Sequence, residues 1–178
     1  MEWKLNEDMN ETGVNYELVA ADVKSLYPNI PRNLISIALQ DAIKQYGNIS
    51  DKGKEIIIKL SDFCLQNVIL RFEDTFYRQD TGIVTGENNS VSLANIAIHY
   101  IIKQIPEINS NTEIFKRFID DIMFISKEEA DAAKTIQNRL QEEFKKYQLE
   151  LTFRKVSTNS DGAEVEFLDV LHRVNRSC

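Results

Sequence analysis

Asp120 and Asp121 stand between two short apolar runs, Phe118-Ile119 and Ile122-Met123-Phe124-Ile125. A strand entering, a tight turn carrying both carboxylates and a strand leaving is the economical reading of Lys116 to Ile125. Adjacent aspartates repel each other and gain nothing from burial, so a chain that sets them between hydrophobic strands needs a cation there. Asp22 ends another apolar run, Tyr16-Glu17-Leu18-Val19-Ala20-Ala21-Asp22. In a split βαβ arrangement the two strands are neighbours, which brings Asp22 beside Asp120. Hard carboxylate oxygens suit Mg²⁺, which keeps waters and shares substrate phosphates. Two such ions about 3.5–4 Å apart clamp the attacking and leaving oxygens of an in-line phosphoryl transfer. An Asp-Asp turn alone is ordinary turn chemistry; its weight comes from combination with Asp22 and the apolar flanks.

Two further segments bear on such a site. Tyr27, five residues after Asp22, is an aromatic that can floor a nucleotide pocket and exclude a 2′-hydroxyl by bulk, or simply pack between a turn and the next helix. The loop from Gln79 to Asn89 holds Gly82 and Gly86 and precedes an apolar helix, so backbone N–H groups there can approach a base or phosphate. It is not a P-loop, because the Gly-Lys-Ser/Thr ending is absent. His99 and His172 have no cysteine cluster beside them, which argues against zinc. No segment recommends a Ser-His-Asp triad. Lys134, Arg139, Lys145 and Lys146 read as the solvated face of a helix, and Arg154-Lys155 as solvated surface after the penultimate strand.

The elements that must position these groups follow from periodicity. After the first strand, Tyr27 to Pro31 form a turn, and Pro31 opens a helix with Ile35, Ala38, Leu39, Ala42, Ile43 and Tyr46 on one face, closed by Gly47-Asn48. Ser50 caps the next helix, whose stripe is Ile57, Leu60, Cys64 and Val68, widened by Ile56 and Phe63; Cys64 is expected to be buried. Phe72 and Phe76-Tyr77 flank a hairpin turn at Glu73-Asp74. A helix from Ser90 to Gln104 is apolar nearly all round and is expected to be buried on most sides. Pro106 and Asn109-Ser110-Asn111 break the chain. Ser126 and Glu129 suggest a capping box opening a helix with Ala133, Ile136, Leu140, Phe144 and Tyr147. Two strands, Leu149–Phe153 and Val165–Val170, close the chain around a turn at Asp161-Gly162. The order implies an α+β fold, an antiparallel sheet with helices packed on one face, of the ferredoxin-like β-α-β-β-α-β type with inserted helices.

The chain has 178 residues, 43% of them hydrophobic, enough for one domain with a sizeable core. Residues 1–15 read as a polar lead-in, 16–173 as the domain and 174–178 as a tail. No run of about 18 apolar residues predicts a membrane span, and the charged start, Met1-Glu2-Trp3-Lys4, predicts no secretion signal. Cys64 and Cys178 form no ligand spacing, and an intracellular setting is expected. The net charge of −7 argues against a self-sufficient nucleic-acid binder with its own basic face.

Together the segments carry a resemblance. Asp22-Val23-Lys24-Ser25-Leu26-Tyr27-Pro28-Asn29-Ile30-Pro31 resembles motif A of reverse transcriptases, in the pattern of the Penelope-like retroelement group. Arg117 to Ile125 resembles motif C, and Gly82 to Asn95 resembles motif B. Leu151-Thr152-Phe153 and Glu166-Phe167-Leu168-Asp169-Val170 are similar to the closing motifs D and E. The match covers residues 16–172 in order. It implies a polymerase palm in which Asp22, Asp120 and Asp121 bind two Mg²⁺ (or Mn²⁺), helped by the backbone of Val23. Tyr27 would select the sugar, Gly86 would lie at the nascent base pair, and Phe167-Leu168 near the primer strand. The implied substrates are an RNA template, a DNA primer and deoxynucleoside triphosphates.

Two departures stand out. Glu87-Asn88 replaces the Ser-Pro common after the second glycine, which puts template contact there in doubt, and Thr85 stands where glutamine or methionine is frequent. About 20 residues precede motif A and little follows Asp169, so fingers, thumb and a GIY-YIG nuclease are expected to be missing, and the isolated chain to have little processive activity. The acidic balance then fits a palm without its basic neighbours. Other palm polymerases share part of the pattern. Ser25-Leu26-Tyr27-Pro28 is similar to motif A of family B DNA polymerases, whose Asp-Thr-Asp is absent here. A viral RNA polymerase fits Tyr27 poorly. A non-catalytic retroelement-derived interaction domain is the reading that needs no chemistry.

Overall fold

The computed structural model describes residues 16–45, 48–127, 131–154, 156–159 and 162–175. The chain divides into two compact units. One takes the chain up to Asp22, Pro106–Leu140 and the chain from Leu151; the other takes Val23–Ile105 and Gln141–Glu150.

The first unit is built on a four-stranded sheet. Its strands are β1 (Tyr16–Val23), β4 (Ile114–Phe118), β5 (Asp121–Lys127) and β6 (Leu151–Phe153), in the order β4-β5-β1-β6. That is the strand order of a ferredoxin-like split βαβ core, so the expected α+β palm architecture is the observed one. β1 and β5 pair antiparallel, with Leu18 opposite Ile125, Ala20 opposite Met123 and Asp22 opposite Asp121. Side chains alternate across a strand, so these three pairs share one face. Leu18, Ala20, Met123 and Ile125 form an apolar cluster with Val165 and Phe167. The last two come from β8 (Gly162–Phe167), the centre of a second, antiparallel sheet with β7 (Ser157–Asn159) and β9 (Val170–Asn175). The opposite face carries Val19, Ala21, Ile122 and Phe124, all buried. Both faces of the sheet are therefore apolar, which explains why β5 reads as a continuous hydrophobic run. α6 (Ala132–Lys145) starts in this unit with Ala133, Ile136 and Leu140 buried. A short α5 (Glu107–Asn111) occupies the stretch expected only to break the chain, and the Thr112 hydroxyl closes it by donating to Ile108 O at 2.5 Å.

The second unit holds α1 (Leu26–Asn29), α2 (Arg32–Gln45), α3 (Asp51–Gln66), the hairpin β2 (Ile69–Phe72) and β3 (Thr75–Arg78), and α4 (Ser90–Ile102). α2 packs on α4 and α3 and buries Leu34, Ile35, Ala38, Leu39 and Ile43, and Lys103 pairs with Asp41. Ser50 caps α3 as expected, accepting from Gly53 N at 3.2 Å. The hairpin also forms as expected, with Phe72 opposite Thr75.

Several expectations are corrected. Cys64 is exposed, not buried. α3 is rotated so that Leu65, followed by Val68, turns inward, while Ile57, Leu60, Phe63 and Cys64 face outward. Its apolar stripe is wider than the face it buries. α4 buries Leu93, Ala94, Ala97, Ile98 and Ile101, but Val91, Ser92 and His99 are exposed, so one side of it is open. Ser126 does not cap a helix: the β1–β5 ladder runs through it, opposite Glu17, and leaves its hydroxyl buried in the strand. Its expected partner Glu129 lies outside the described residues, as do the lead-in 1–15, Tyr46-Gly47 and Asp161. The closing strand is broken at Leu168-Asp169, where φ of 52° and 59° makes a two-residue hairpin turn whose twist suits its flanking strands. β9 then runs to Asn175, into the stretch read as a tail.

Phe124 is fully buried and stacks on Phe115 with ring centroids 6.4 Å apart. Phe124→Ala is expected to cost about 3–5 kcal/mol in denaturant unfolding. Phe72→Ala, on a side chain 68% exposed, should stay within about 0.5 kcal/mol. Equal costs would contradict the core assignment.

Candidate functional site

In the first unit the β1–β5 register sets Asp22 directly opposite Asp121, at the end of the face that carries the apolar cluster. Directly paired residues on one face keep their Cβ atoms about 4.5–5.5 Å apart. The sequence reading put Asp22 beside Asp120 and both aspartates in the turn. Asp22 does feel the Asp120 charge, but the turn is shorter than expected: Phe118 pairs with Asp121, so Asp121 already belongs to β5 and the turn is Ile119-Asp120. Ile119 adopts φ 52°. A β-branched residue in that region is strained, on the order of 1–3 kcal/mol. Arg117 Nη1 braces the turn by donating to Ile119 O at 2.9 Å.

Burial against the cluster pushes the Asp22 carboxyl above the ordinary carboxylate range; Asp120 adds to the rise and Arg154 opposes it. Burial likewise pushes Asp121 up. Arg154 pulls it down, while Asp120, Asp22 and Asp169 push it further up. Four carboxylates thus share one field, and Asp169 enters it from the β8–β9 turn. The donor chemistry, hard carboxylate oxygens partly withdrawn from water, fits a divalent cation of the Mg²⁺ type. Among the described residues, no three His, Cys, Asp or Glu side chains are yet grouped closely enough to hold a metal ion. Arg154 Nη2 donates to Asp121 Oδ1 at 2.5 Å.

Arg154 was read from sequence as solvated surface. It is half-buried and tied down three ways, since its backbone N donates to Ala20 O at 2.9 Å and Nη1 to Glu166 O at 3.1 Å. No short-range pattern announces this, because the partners lie on three different strands. Lys155 lies outside the described residues. Of the closing pair, Phe167 is buried in the cluster, edge-on to His172 at 5.9 Å, and Leu168 is exposed at the turn. Only Leu168 offers a free side chain; Phe167 acts as core. Val23 is buried and is the last residue of β1.

The second unit brings Tyr27 and the Gly82 loop together. Ile83 N donates to Tyr27 O at 2.8 Å, and Arg32 reaches from α2 to Gln79 O at 2.5 Å and Gly82 O at 3.4 Å. Gly82 has φ 70°, and a Cβ on it would sit 2.5 Å from both Tyr27 O and Pro28 O. This glycine is required by the close approach of two backbones. Gly86 has φ 97° with open space around its Cβ position, and Thr85 and Glu87 beside it are exposed. Tyr27 itself is half-buried in the single-turn α1. Arg32, the clamp on this loop, escaped the sequence reading because it looked like any first-turn helix residue.

Comparison with known proteins adds a family and a fold. The family model described as reverse transcriptase (RNA-dependent DNA polymerase) matches residues 3–170. No curated protein sequence matches. Among solved structures, apo telomerase from Candida tropicalis superposes with a TM-score of 0.75 at 14% identity, covering 96% of this chain and 32% of that one. A form of it truncated from its C-terminal domain gives a TM-score of 0.67 at 17% identity, covering 96% and 36%. Telomerase from Candida albicans, in complex with a TWJ fragment of telomeric RNA, gives 0.72 at 12% identity, covering 96% and 30%. The chain spans about a third of the length of these structures, and at such identities the likeness is one of fold.

Two outcomes are expected. Gly82→Ala should destabilise strongly, by at least about 2 kcal/mol, whereas Gly86→Ala should cost about 1 kcal/mol of backbone strain alone; denaturant midpoints compare them. For Asp22 the folded carboxyl binds its proton more tightly than the unfolded one, so stability falls as pH rises through its raised value. Asp22→Asn should therefore raise the melting midpoint at pH 7 by about 1–3 °C and flatten the decline in stability as pH rises above the ordinary carboxylate range.

Proposed function

This chain belongs to the reverse transcriptase (RNA-dependent DNA polymerase) family, as a palm-type domain, and on that premise we propose that it carries the catalytic carboxylates of an RNA-directed DNA polymerase. The observation that carries the reading is the register of β1 on β5, which sets Asp22 opposite Asp121 with Asp120 in the adjoining turn. In this reading the reaction joins a primer 3′-oxygen to the α-phosphorus of a deoxynucleoside triphosphate and releases pyrophosphate. Asp22, Asp120 and Asp121, with the backbone carbonyl of Val23, are the groups that would hold Mg²⁺ or Mn²⁺. The cations, when bound, lower the pKa of the attacking hydroxyl and neutralise the leaving pyrophosphate.

The chain's own contribution is positional. The β1–β5 ladder fixes the separation of the two carboxylates before any substrate arrives, which is the preorganisation that electrostatic catalysis requires. The strained Ile119 turn fixes the direction of Asp120. Tyr27 meets the sugar, Gly86 the nascent base pair, and Leu168, seated on the Phe167 core, the primer strand; these assignments rest on motif order. The template is RNA and the source a retroelement of the Penelope-like type, working inside the cell. The similar fold of a telomerase described with telomeric RNA supports a nucleic-acid partner. An acidic chain of −7 that spans about a third of its structural neighbours draws its basic contacts to template and triphosphate from fingers and thumb segments beyond this one. Among the described residues no helix is long and apolar enough to cross a membrane.

The test is primer extension on an RNA template with deoxynucleotides and Mg²⁺. The wild-type chain should extend a DNA primer, and the Asp120→Ala/Asp121→Ala double variant should lose at least about 100-fold, the scale lost with a transition-state charge stabiliser. Replacing the template by DNA, or the substrate by ribonucleotides, should lower the rate. Measurable extension that is equal in the two proteins contradicts the reading.

A further inference from the structure

Arg154 is the one cation in direct contact with the carboxylate pair among the ion pairs of the described residues. Its Nη2 sits 2.5 Å from Asp121 Oδ1, with side-chain exposures of 36% for the arginine and 19% for the aspartate. It follows β6 directly, anchored to β1 through Ala20 O and to β8 through Glu166 O. The guanidinium therefore spans the two sheets that enclose the apolar cluster, and places a positive charge where Asp22, Asp120, Asp121 and Asp169 crowd.

Two facts meet here. The carboxylates need a positive charge, and Arg154 already pairs with one of them. We infer that Arg154 is a positioning residue that holds Asp121 in the metal-free site and yields it when a divalent cation binds. The inference rests on the carboxylates being the cation site. A guanidinium and a hard divalent cation cannot share one carboxylate oxygen at full strength, because both need its lone pairs and they repel each other. Arg154 thereby offsets the repulsion that would spread the aspartates in the resting chain. It also sets a threshold, since a cation must be concentrated enough to displace it. The two bonds that do not involve Asp121, from the backbone N to Ala20 O and from Nη1 to Glu166 O, keep the side chain close once released.

Mn²⁺ binding, followed by electron paramagnetic resonance of the free ion, tests this without any turnover. The proteins are the wild-type chain, Arg154→Gln, Arg154→Lys and Asp121→Asn. Arg154→Gln should bind Mn²⁺ about fivefold to tenfold more tightly than wild type, and Arg154→Lys, which keeps the charge but not the planar fork, should fall between. Unchanged or weaker binding by Arg154→Gln overturns the inference. Asp121→Asn separates the two layers: if it binds Mn²⁺ as wild type does, the cation-site reading itself fails. Should Arg154→Gln not fold, the wild type decides alone. Adding Mg²⁺ should then shift the Arg154 guanidinium ¹⁵N resonances, and resonances that stay fixed through saturation overturn the inference.

Discussion

The repulsion between Asp22 and Asp121, held opposite each other by the β1–β5 ladder, is the constraint on which the first unit turns. Nothing in the folding of a sheet favours two carboxylates on one face at the end of an apolar cluster. The ladder enforces it, because the register that buries Leu18, Ala20, Met123 and Ile125 in one cluster also pairs the aspartates. A slip of one residue would turn the cluster's side chains to the opposite face and separate the carboxylates. Apolar burial thus supplies the free energy that keeps two like charges side by side.

The surrounding features read as answers to that repulsion. Arg154 brings a compensating charge from the edge of the sheet. The Ile119 turn accepts a left-handed conformation that isoleucine disfavours, and Arg117 braces it. The β8–β9 turn adds Asp169 to the negative field. A chain selected for stability alone would relieve each of these. Their coexistence at one end of one sheet is the pattern expected where local strain and charge are kept for chemistry. The second unit shows the same economy in Gly82, a residue with room for no side chain, which brings the glycine loop onto the Tyr27 turn.

Much of this was legible in the sequence because it is written in local patterns. The aspartates between apolar runs, the Ser50 cap, the β2–β3 hairpin and the strand order of the core all follow from periodicity and turn chemistry over a few residues. What was misread depends on distant partners. Cys64 looks buried because α3 has an apolar stripe, but which side of a helix is covered is decided by what packs on it. Ser126 looks like a cap because the sequence offers Glu129, but cross-strand pairing with Glu17 carries the strand through it. Phe167 is buried in the cluster, a place that its motif position does not announce, and Leu168 beside it is exposed. Arg154 and Arg32 look like ordinary surface arginines, because their partners are far away in the chain.

Paramagnetic broadening of backbone amide resonances by substoichiometric Mn²⁺ tests the central claim most directly. The account predicts early loss of signals from Ala21 to Lys24 in β1 and the turn after it, and from Ile119 to Ile122 around the β4–β5 turn. Amides along α3, which carries Asp51, Glu55 and Asp62 on its surface, should persist to higher Mn²⁺. Broadening that begins on α3, or spreads evenly over the acidic surface, would contradict the claim that the β1–β5 register builds a cation site.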